Sequence, residues 1–164
     1  LTEQGITSHL KHNSKIKRVI CLDEVDSTNN YAKKFAMIQA PHGTLIAANH
    51  QTSGRGRLGH SFDSPPGTGL YMSIILRPAI DAAKFQFITI ADAVSVCLAI
   101  EKLCPDLKNS LGIKWVNDIY LRDKKITGIY LHASNFLPCC LSDTMGRPAA
   151  CMGNGQQLCR FPGV

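Results

Sequence analysis

The chain has 164 residues, of which 45% are hydrophobic and 18% are charged. This length fits one domain and excludes a large multidomain machine, while the composition excludes a disordered or fibrous protein. No apolar stretch approaches a membrane span and the first residues lack a secretory pattern, so we expect a soluble, cytoplasmic protein that does not bind membranes. The formal net charge of +6 suits an anionic ligand.

The first third of the chain predicts a strand, a helix and a second strand. Residues 16–25 have the apolar and β-branched composition of a strand, and Asp26-Ser27-Thr28 supplies capping residues that begin a helix. That helix has one apolar face and ends at Pro41. Residues 44–50 predict the second strand.

A long loop, a third strand and a long helix follow. Residues 51–69 are rich in glycine, serine and proline, and loops of this length often carry function. Residues 69–77 predict a strand. The 3.6-residue spacing of apolar positions from Phe87 to Leu98 predicts a helix of about five turns that ends near Cys104.

The next segment predicts short strands at residues 113–116 and 119–122, followed by a hairpin strand at residues 125–131. The fold class is therefore α/β, of the α+β type, with a mixed, largely antiparallel sheet. Residues 131–164 contain four cysteines, four glycines and three prolines without a clean period. We expect an irregular tail, an unpaired sheet edge and a marginally stable protein.

The stretch Q-T-S-G-R-G-R-L-G at residues 51–59 is the first candidate for chemistry. Glycines let a backbone approach a ligand, and guanidinium groups can hold phosphate or carboxylate oxygens. The stretch is neither a P-loop nor a dinucleotide fingerprint, because no G-K-[ST] follows and no helix begins at its end. A flexible, solvated turn is the equally weighted alternative.

The stretch K-W-V-N-D at residues 114–118 is the second candidate. A partly desolvated lysine beside a reacting anion is an electrostatic catalyst, and Asn with Asp can hold Mg²⁺ or a ribose. The simpler interpretation is a surface lysine, a core tryptophan at Trp115 and an ordinary turn. Ser27-Thr28-Asn29 is by default a helix cap that can also hold a small polar ligand. Neither the histidines nor the cysteines have metal-ligand spacing.

Five stretches resemble, in this order, the motifs of the biotin protein ligases. They are V-D-S-T-N at 25–29, Gln51 with G-R-G-R-L-G at 54–59, Ser64-Pro65 leading to L-Y-M-S at 70–73, K-W-V-N-D at 114–118 and K-I-T-G-I at 125–129. We interpret residues 1–130 as a partial catalytic domain and residues 131–164 as a tail unlike the family, from a truncated or frameshifted gene. The resemblance implies a class II synthetase-like domain, with helices packed on one face of the sheet.

The resemblance also implies an activity and its residues. Biotin is joined to ATP, with Mg²⁺, to give biotinyl-5′-adenylate and pyrophosphate, and is then transferred to a lysine of a biotin carboxyl carrier protein. The implied biotin-binding residues are Ser27, Thr28, Asn29, Gln51, Arg55, Gly56, Arg57 and Lys114. The implied adenylate-binding residues are Gly54, Arg57, Phe62, Asn117 and Asp118. Lys114 and Arg55 are the catalytic candidates, and Asp118 is the candidate Mg²⁺ ligand.

Alternatives remain open at this point. A lipoate or octanoyl ligase of the same broad fold is the second enzyme hypothesis, and a basic nucleic-acid-binding module is the hypothesis from another class. About fifteen residues precede the first strand, so we expect no N-terminal winged-helix domain and no DNA binding. A homodimer is left open, and we expect the chain as given to lack a complete ATP site.

Overall fold

The computed structural model describes residues 1–56, 60–115, 117–134 and 149–156. Its elements run in chain order as α1 (Glu3–Ser8), β1 (Arg18–Val25), α2 (Thr28–Met37), β2 (Thr44–Gln51), β3 (Leu70–Leu76), α3 (Phe85–Leu103), β4 (Leu111–Lys114), β5 (Asp118–Leu121), β6 (Lys124–Ser134) and β7 (Ala149–Gln156). The strands and helices predicted before residue 131 are all present, with ends shifted by a few residues. The predicted five-turn helix is α3.

One seven-stranded sheet connects these strands in the order β1-β2-β3-β7-β6-β5-β4. All neighbouring pairs are antiparallel except β1 and β2, which are parallel. A parallel pair needs a crossover connection, and α2 supplies it. The mixed, largely antiparallel sheet predicted from the sequence is confirmed.

Strand β7 corrects the expectation of an irregular tail. Residues Ala149–Gln156 pair with β3 on one side and β6 on the other, so this part of the tail lies in the middle of the sheet. A central strand is held by backbone hydrogen bonds on both sides, and these do not require an alternating side-chain pattern. The sequence A-A-C-M-G-N-G-Q therefore lacks the alternation of apolar and polar residues from which a strand is usually predicted. The rest of the tail, residues 135–148 and 157–164, lies outside the described residues.

Helix α2 packs on the sheet through small side chains. Ala32 and Ala36 of α2 contact Ile20, Ile46 and Ile75 of the first three strands, and all five side chains are buried. Alanine lets the helix approach the strands closely. Consequently α2 lies closely against β1, β2 and β3.

The end of α2 comes earlier than the sequence suggested, at Met37 and not at Pro41. Gln39 adopts a positive φ of 62°, which turns the chain out of the helix. The Arg77 guanidinium donates hydrogen bonds to the carbonyl oxygens of Ala36 and Ala40 at 3.1 Å. A cation therefore satisfies the last carbonyls of the helix.

The register of the sheet places α2 and α3 on opposite faces. Directly opposed residues in neighbouring strands point to the same face. Ile46, which packs against α2, is opposite Ser73, and Ser73 is opposite Gly153. Gly153 is in turn opposite Tyr130. Ile129, the neighbour of Tyr130, packs against α3 and points to the other face. The long helices therefore lie on both faces of the sheet, not on one as the resemblance implied.

Candidate active site

Four buried polar side chains meet where α2 begins, and we call Thr28, Gln51, Ser64 and Ser73 the polar cradle. Gln51 Oε1 accepts hydrogen bonds from the Thr28 backbone N–H at 2.8 Å and from the Thr28 hydroxyl at 3.1 Å. Gln51 Nε2 donates to Ser64 Oγ at 3.0 Å, and Ser73 Oγ donates to Thr28 Oγ1 at 2.9 Å. All four residues are at most 8% exposed. The cradle is therefore a preformed hydrogen-bonded cluster in a place of low dielectric constant.

Ser27 and Asn29 flank Thr28 and complete the predicted S-T-N group. Ser27 is the N-cap residue of α2, but its side chain makes no capping hydrogen bond. The N–H of Thr28, the first helical residue, donates to Gln51 Oε1. Asn29 is 4% exposed, and its Oδ1 atom has no hydrogen-bond partner in the structure. A buried carbonyl oxygen without a donor costs about 1–3 kcal/mol, so a polar ligand that donates to it would be favoured.

Asp26 lies just before this group. Its carboxylate accepts a hydrogen bond from Asn30 Nδ2 at 2.9 Å. That bond is the main reason why the pKa of Asp26 lies below its ordinary value, with backbone N–H groups and Lys34 adding to the effect. Asp26 is therefore charged at neutral pH, and its carboxylate already accepts a hydrogen bond from Asn30. It lies at the N-terminal end of α2, where the helix dipole favours a negative charge.

The glycine-arginine loop returns to the cradle after Gln51. The Phe62 N–H donates to the Gly54 carbonyl oxygen at 2.8 Å, and Arg55 pairs with Ser61 as a β-bridge. Gly54 is required here, because a Cβ at this position would clash with the Phe62 carbonyl oxygen. Arg55 is exposed and Gly56 half-buried. The predicted ligand Arg57, like Leu58 and Gly59, lies outside the described residues.

A second polar group, which we call the charged hairpin, consists of Asn117, Asp118 and Lys125. Lys125 Nζ and Asp118 Oδ1 form an ion pair at 2.8 Å. Asn117 Nδ2 donates to the same carboxylate oxygen at 2.8 Å and to the Ile129 carbonyl oxygen at 3.1 Å. The turn between β4 and β5 therefore fixes the carboxylate and the ammonium group in one place.

Phe62 brings the loop to the charged hairpin. A Cβ placed on Gly128 would lie 3.3 Å from Phe62 Cε2 and 3.3 Å from Lys125 Nζ. The aromatic ring and the ammonium group therefore flank the same point of β6. Because Phe62 is also tied to Gly54 and lies next to the cradle through Ser64, the loop spans the distance between the two polar groups.

Lys114 and Trp115 lie at the outer edge of this region. Lys114 is exposed, and its Nζ lies 5.8 Å from the centroid of the Tyr120 ring. It is opposite Asp118 in the register of β4 and β5, yet Asp118 pairs with Lys125. Trp115 is 77% exposed, so the core position expected for it is wrong. It follows the edge strand β4, which has a neighbour on one side only.

The sequence interpretation missed three residues of this arrangement: Ser64, Ser73 and Lys125. Ser64 and Ser73 belong to the third stretch of the resemblance, but the sequence interpretation gave them no role. Ser64 reaches Gln51 from the loop, and Ser73 reaches Thr28 from β3. Lys125 was visible in the motif K-I-T-G-I and in the hairpin turn at Asp123-Lys124. The pairing of Tyr120 with Lys125 brings that lysine beside Asp118.

The two polar groups differ from a metal centre. Among the described residues there is no cluster of three or more His, Cys, Asp or Glu side chains that could hold a metal ion. The arrangement instead offers a buried polar cradle next to a loop and a hairpin that carry cations. Such a site can hold a polar ring at one end and bring two anionic groups together at the other.

In the part of the chain that the structure describes, no helix is long and apolar enough to cross a membrane.

Comparisons with known proteins agree with this geometry. The model of the biotin/lipoate A/B protein ligase family matches residues 21–135, more than half of the chain. The bifunctional ligase/repressor BirA of Bacillus spizizenii is 39% identical over 129 residues, which are 79% of this chain and 39% of that protein. The biotin–acetyl-CoA-carboxylase ligase of Paracoccus denitrificans is 32% identical over 144 residues, which are 86% of this chain and 55% of that protein.

A solved structure of similar fold is the biotin protein ligase from Aquifex aeolicus in complex with biotin and ATP. It is 29% identical, with a TM-score of 0.67, and the match covers 90% of this chain and 56% of that chain. This chain thus spans between about two fifths and just over half of the length of these three proteins.

Proposed function

This chain belongs to the biotin/lipoate A/B protein ligase family, and we propose that it activates biotin with ATP for transfer to a lysine of a carrier protein. In the first step a biotin carboxylate oxygen attacks the α-phosphorus of ATP, forming biotinyl-5′-adenylate and releasing pyrophosphate. In the second step the amine of the carrier lysine attacks the biotinyl carbonyl, forming an amide, while AMP leaves and the amine loses a proton.

The buried polar side chains of the cradle, with the flanking Ser27 and Asn29, favour biotin over the other acids as the substrate. The ureido ring of biotin has two N–H donors and one carbonyl acceptor. Asn29 Oδ1, which is buried without a partner, suits one such N–H. The Ser27 hydroxyl can donate or accept, whereas the Thr28 hydroxyl, which donates to Gln51, can only accept. The dithiolane ring of lipoic acid and the end of an octanoyl chain have no N–H or carbonyl group where biotin has its ureido ring. Either would leave buried polar groups unsatisfied, at about 1–3 kcal/mol each.

Four cations are proposed to act where the two anions meet. The biotin carboxylate and the α-phosphate repel each other, and fixed positive charge lowers this barrier most where negative charge accumulates. Arg55, with Gly56 and Arg57, is assigned to the carboxylate and the phosphate. Lys114 keeps the role that the resemblance gives it. We add Lys125, because its ammonium group lies beside Asp118 and Phe62, next to the loop.

The nucleotide is proposed to bind across the loop and the charged hairpin. Gly54 and Arg57 belong to the loop, Phe62 offers an aromatic ring, and Asn117 and Asp118 offer an amide and a carboxylate. Mg²⁺ on nucleotides is usually held by one or two carboxylates together with phosphate oxygens and water. Asp118 fits that requirement as the protein ligand. Bound there, Mg²⁺ would neutralise phosphate charge, while the protein residues orient the two substrates.

The carrier is the remaining partner. Relatives of this chain are named for acetyl-CoA carboxylase, which points to the biotin carboxyl carrier protein of such a carboxylase. The chain spans about half the length of those relatives or less, and transfer of biotin to this carrier is part of the proposal.

The test incubates the full chain with MgATP and either biotin or lipoic acid, and detects the adenylates by mass spectrometry. A purified carrier domain is added in a second reaction to detect its biotinylated lysine. We expect biotinyl-5′-adenylate, at the low rate that an incomplete ATP site allows, and no lipoyl-adenylate. Lipoyl-adenylate alone would support the lipoate alternative, and a folded chain that binds biotin without forming any adenylate would contradict the catalytic half of the proposal.

A further inference from the structure

Tyr71 of β3 is the largest fully buried side chain among the residues that the structure describes. Its neighbours in the register are small, Ala48 on β2 and Gly155 on β7, which leaves room for its ring. Phenylalanine would fill that room equally well. Tyrosine adds a hydroxyl group, which needs a hydrogen-bond partner when it is buried. The partners of this hydroxyl therefore indicate what it does.

The Tyr71 hydroxyl contacts the end of the glycine-arginine loop, residues 64–68, which we call the loop stem. It donates to the Pro65 carbonyl oxygen at 3.0 Å and lies 3.1 Å from Thr68 Oγ1. The Thr68 hydroxyl also donates to the Pro65 carbonyl oxygen, at 2.9 Å. Thr68 is exposed and Tyr71 is buried, so the tyrosine holds this carbonyl from the inner side.

The loop stem is stiff, so a hydrogen bond to one of its carbonyl oxygens restricts the residues beside it. Pro65 and Pro66 have fixed φ angles, and Ser64 is restricted because it precedes a proline. Gly67 has a positive φ of 70°, and Pro66-Gly67 is the usual central pair of a type II turn. A displacement of the Pro65 carbonyl would therefore displace Ser64 as well.

Ser64 connects the loop stem to the polar cradle. Its backbone carbonyl oxygen accepts from the Gln51 N–H at 3.2 Å, and its hydroxyl donates to the Phe62 carbonyl oxygen at 3.1 Å. Because that proton is used, Ser64 Oγ can only accept from the Gln51 side chain, and it does so from Nε2 at 3.0 Å. This fixes the orientation of the Gln51 amide, with Oε1 toward Thr28.

We propose that Tyr71 is a positioning residue for the biotin substrate, an inference that rests on the proposed function. Its hydroxyl holds the Pro65 carbonyl, the stiff stem then holds Ser64, and Ser64 fixes the orientation of the Gln51 amide. Tyr71 thus acts on the substrate through the cradle.

The orientation of the Gln51 amide decides what the cradle offers to a ligand. With Oε1 toward Thr28, the Thr28 hydroxyl spends its proton on Gln51. Ser73 Oγ donates to Thr28 Oγ1 and occupies one of its two lone pairs. The remaining lone pair can accept an N–H of the ureido ring. A loosened stem would free the amide to rotate, and this acceptor would be lost.

Calorimetric titration of the full chain with biotin separates positioning from a structural role. Tyr71→Phe removes only the hydroxyl, and we expect the dissociation constant to rise about tenfold with an unchanged binding stoichiometry. A merely structural role would lower the stoichiometry and leave the dissociation constant unchanged, which would overturn the proposal. The control is Tyr31→Phe, which removes the same hydroxyl from a ring stacked on Phe35 at a centroid distance of 4.9 Å. It should change neither quantity.

A double-mutant cycle with Ser64→Ala tests the route from Tyr71 to the cradle. Ser64→Ala removes the acceptor of Gln51 Nε2, so the link is already broken in this background. Adding Tyr71→Phe should then raise the dissociation constant for biotin by less than about twofold. A further tenfold rise, equal to that in the parent, would overturn the proposed route.

Hydrogen exchange of the Thr28 amide, followed by NMR, reads the same contacts without any ligand. This N–H donates to Gln51 Oε1 and should exchange about tenfold faster in Tyr71→Phe than in the parent. The Ile129 N–H, which donates to the Asn117 carbonyl oxygen, should exchange at the same rate in both. Unchanged exchange at Thr28 would overturn the role of Tyr71. Absence of biotin binding by the parent would instead contradict the proposed function, so the two failures are distinguishable.

Discussion

The polar cradle and the charged hairpin differ in how far water reaches them. Thr28 and Gln51 in the cradle are 3% and 8% exposed, whereas the side chains of Asp118 and Lys125 in the hairpin are 22% and 39% exposed. Buried hydrogen bonds fix positions and penalise a ligand that fails to match them. A partly exposed ion pair is screened by water and contributes little to stability, so its charges can act on a ligand at little cost to the fold. The cradle is therefore suited to selecting a ligand by its hydrogen-bonding groups, and the charged hairpin to stabilising negative charge on a bound substrate.

The largest effect should come from the centre of the cradle. Gln51→Leu removes the acceptor of two Thr28 bonds and the donor to Ser64, and leaves those groups buried without partners. We expect a loss of about 3 kcal/mol in the free energy of unfolding, measured by denaturant titration, together with loss of biotin binding. Thr7→Ala, which removes an exposed hydroxyl of α1 outside the cradle, serves as the control. An unchanged unfolding midpoint for Gln51→Leu would show that the cradle is not a structural unit.

The charged hairpin should behave in the opposite way. Lys125→Met keeps the length of the side chain but removes its charge, and we expect adenylate formation to fall about a hundredfold with little change in thermal unfolding. Lys114→Met, on β4 beyond the intervening strand β5, is the matched variant. Its loss should be smaller, because the Lys114 ammonium group lies over Tyr120 and not beside Asp118. Equal losses in biotin binding and in adenylate formation would reduce Lys125 to a binding residue.

The loop that joins the two regions can be tested at its glycine. A Cβ on Gly54 would clash with the Phe62 carbonyl oxygen and approach Ser64 Oγ to 2.6 Å. Gly54→Ala should therefore cost about 2 kcal/mol of stability and displace Phe62 from Gly128. Gly112→Ala is the control, because a Cβ there meets no atom within 4 Å. The two variants are compared by denaturant unfolding, and equal midpoints would mean that the loop accommodates the extra methyl group.

The smallest effect concerns His132, which links the sheet to α2. Burial, and then the positive charge of Lys33, holds the pKa of His132 below its ordinary value of 6.5. The unfolded chain therefore binds a proton more readily than the folded one, and stability should fall as pH drops from about 7 through the lowered pKa. His132→Gln should remove this part of the pH dependence of the melting temperature. The exposed His12→Gln should not, and identical pH profiles for the two variants would contradict the assignment.

Local patterns in the sequence were sufficient for most of the fold. The apolar spacing of α3 and the strands β2 and β3 were predictable because each buries one side along its own length. The parallel pairing of β1 with β2 follows from the α2 crossover. Strand β7 was not predictable, because its central place depends on two distant strands and its sequence lacks alternation.

The candidate site was predictable where a motif is continuous in the chain, as at residues 27–29 and 114–118. It was not predictable where contacts cross the sheet. Ser73 reaches Thr28 over 45 positions of sequence, and Lys125 reaches Asp118 through a hairpin whose register includes an irregularity. Trp115 was misjudged because a large aromatic residue next to an apolar strand is usually buried, whereas β4 is an edge strand.

The most direct test of the account is a calorimetric titration of the parent chain and of Asn29→Leu with biotin and with lipoic acid. If the ureido ring binds at the cradle and donates to Asn29 beside it, the parent should bind biotin and not lipoic acid. Asn29→Leu should then weaken biotin binding by about tenfold or more without unfolding the protein. Binding of lipoic acid by the parent as tightly as biotin, or biotin affinity unchanged in Asn29→Leu, would contradict it.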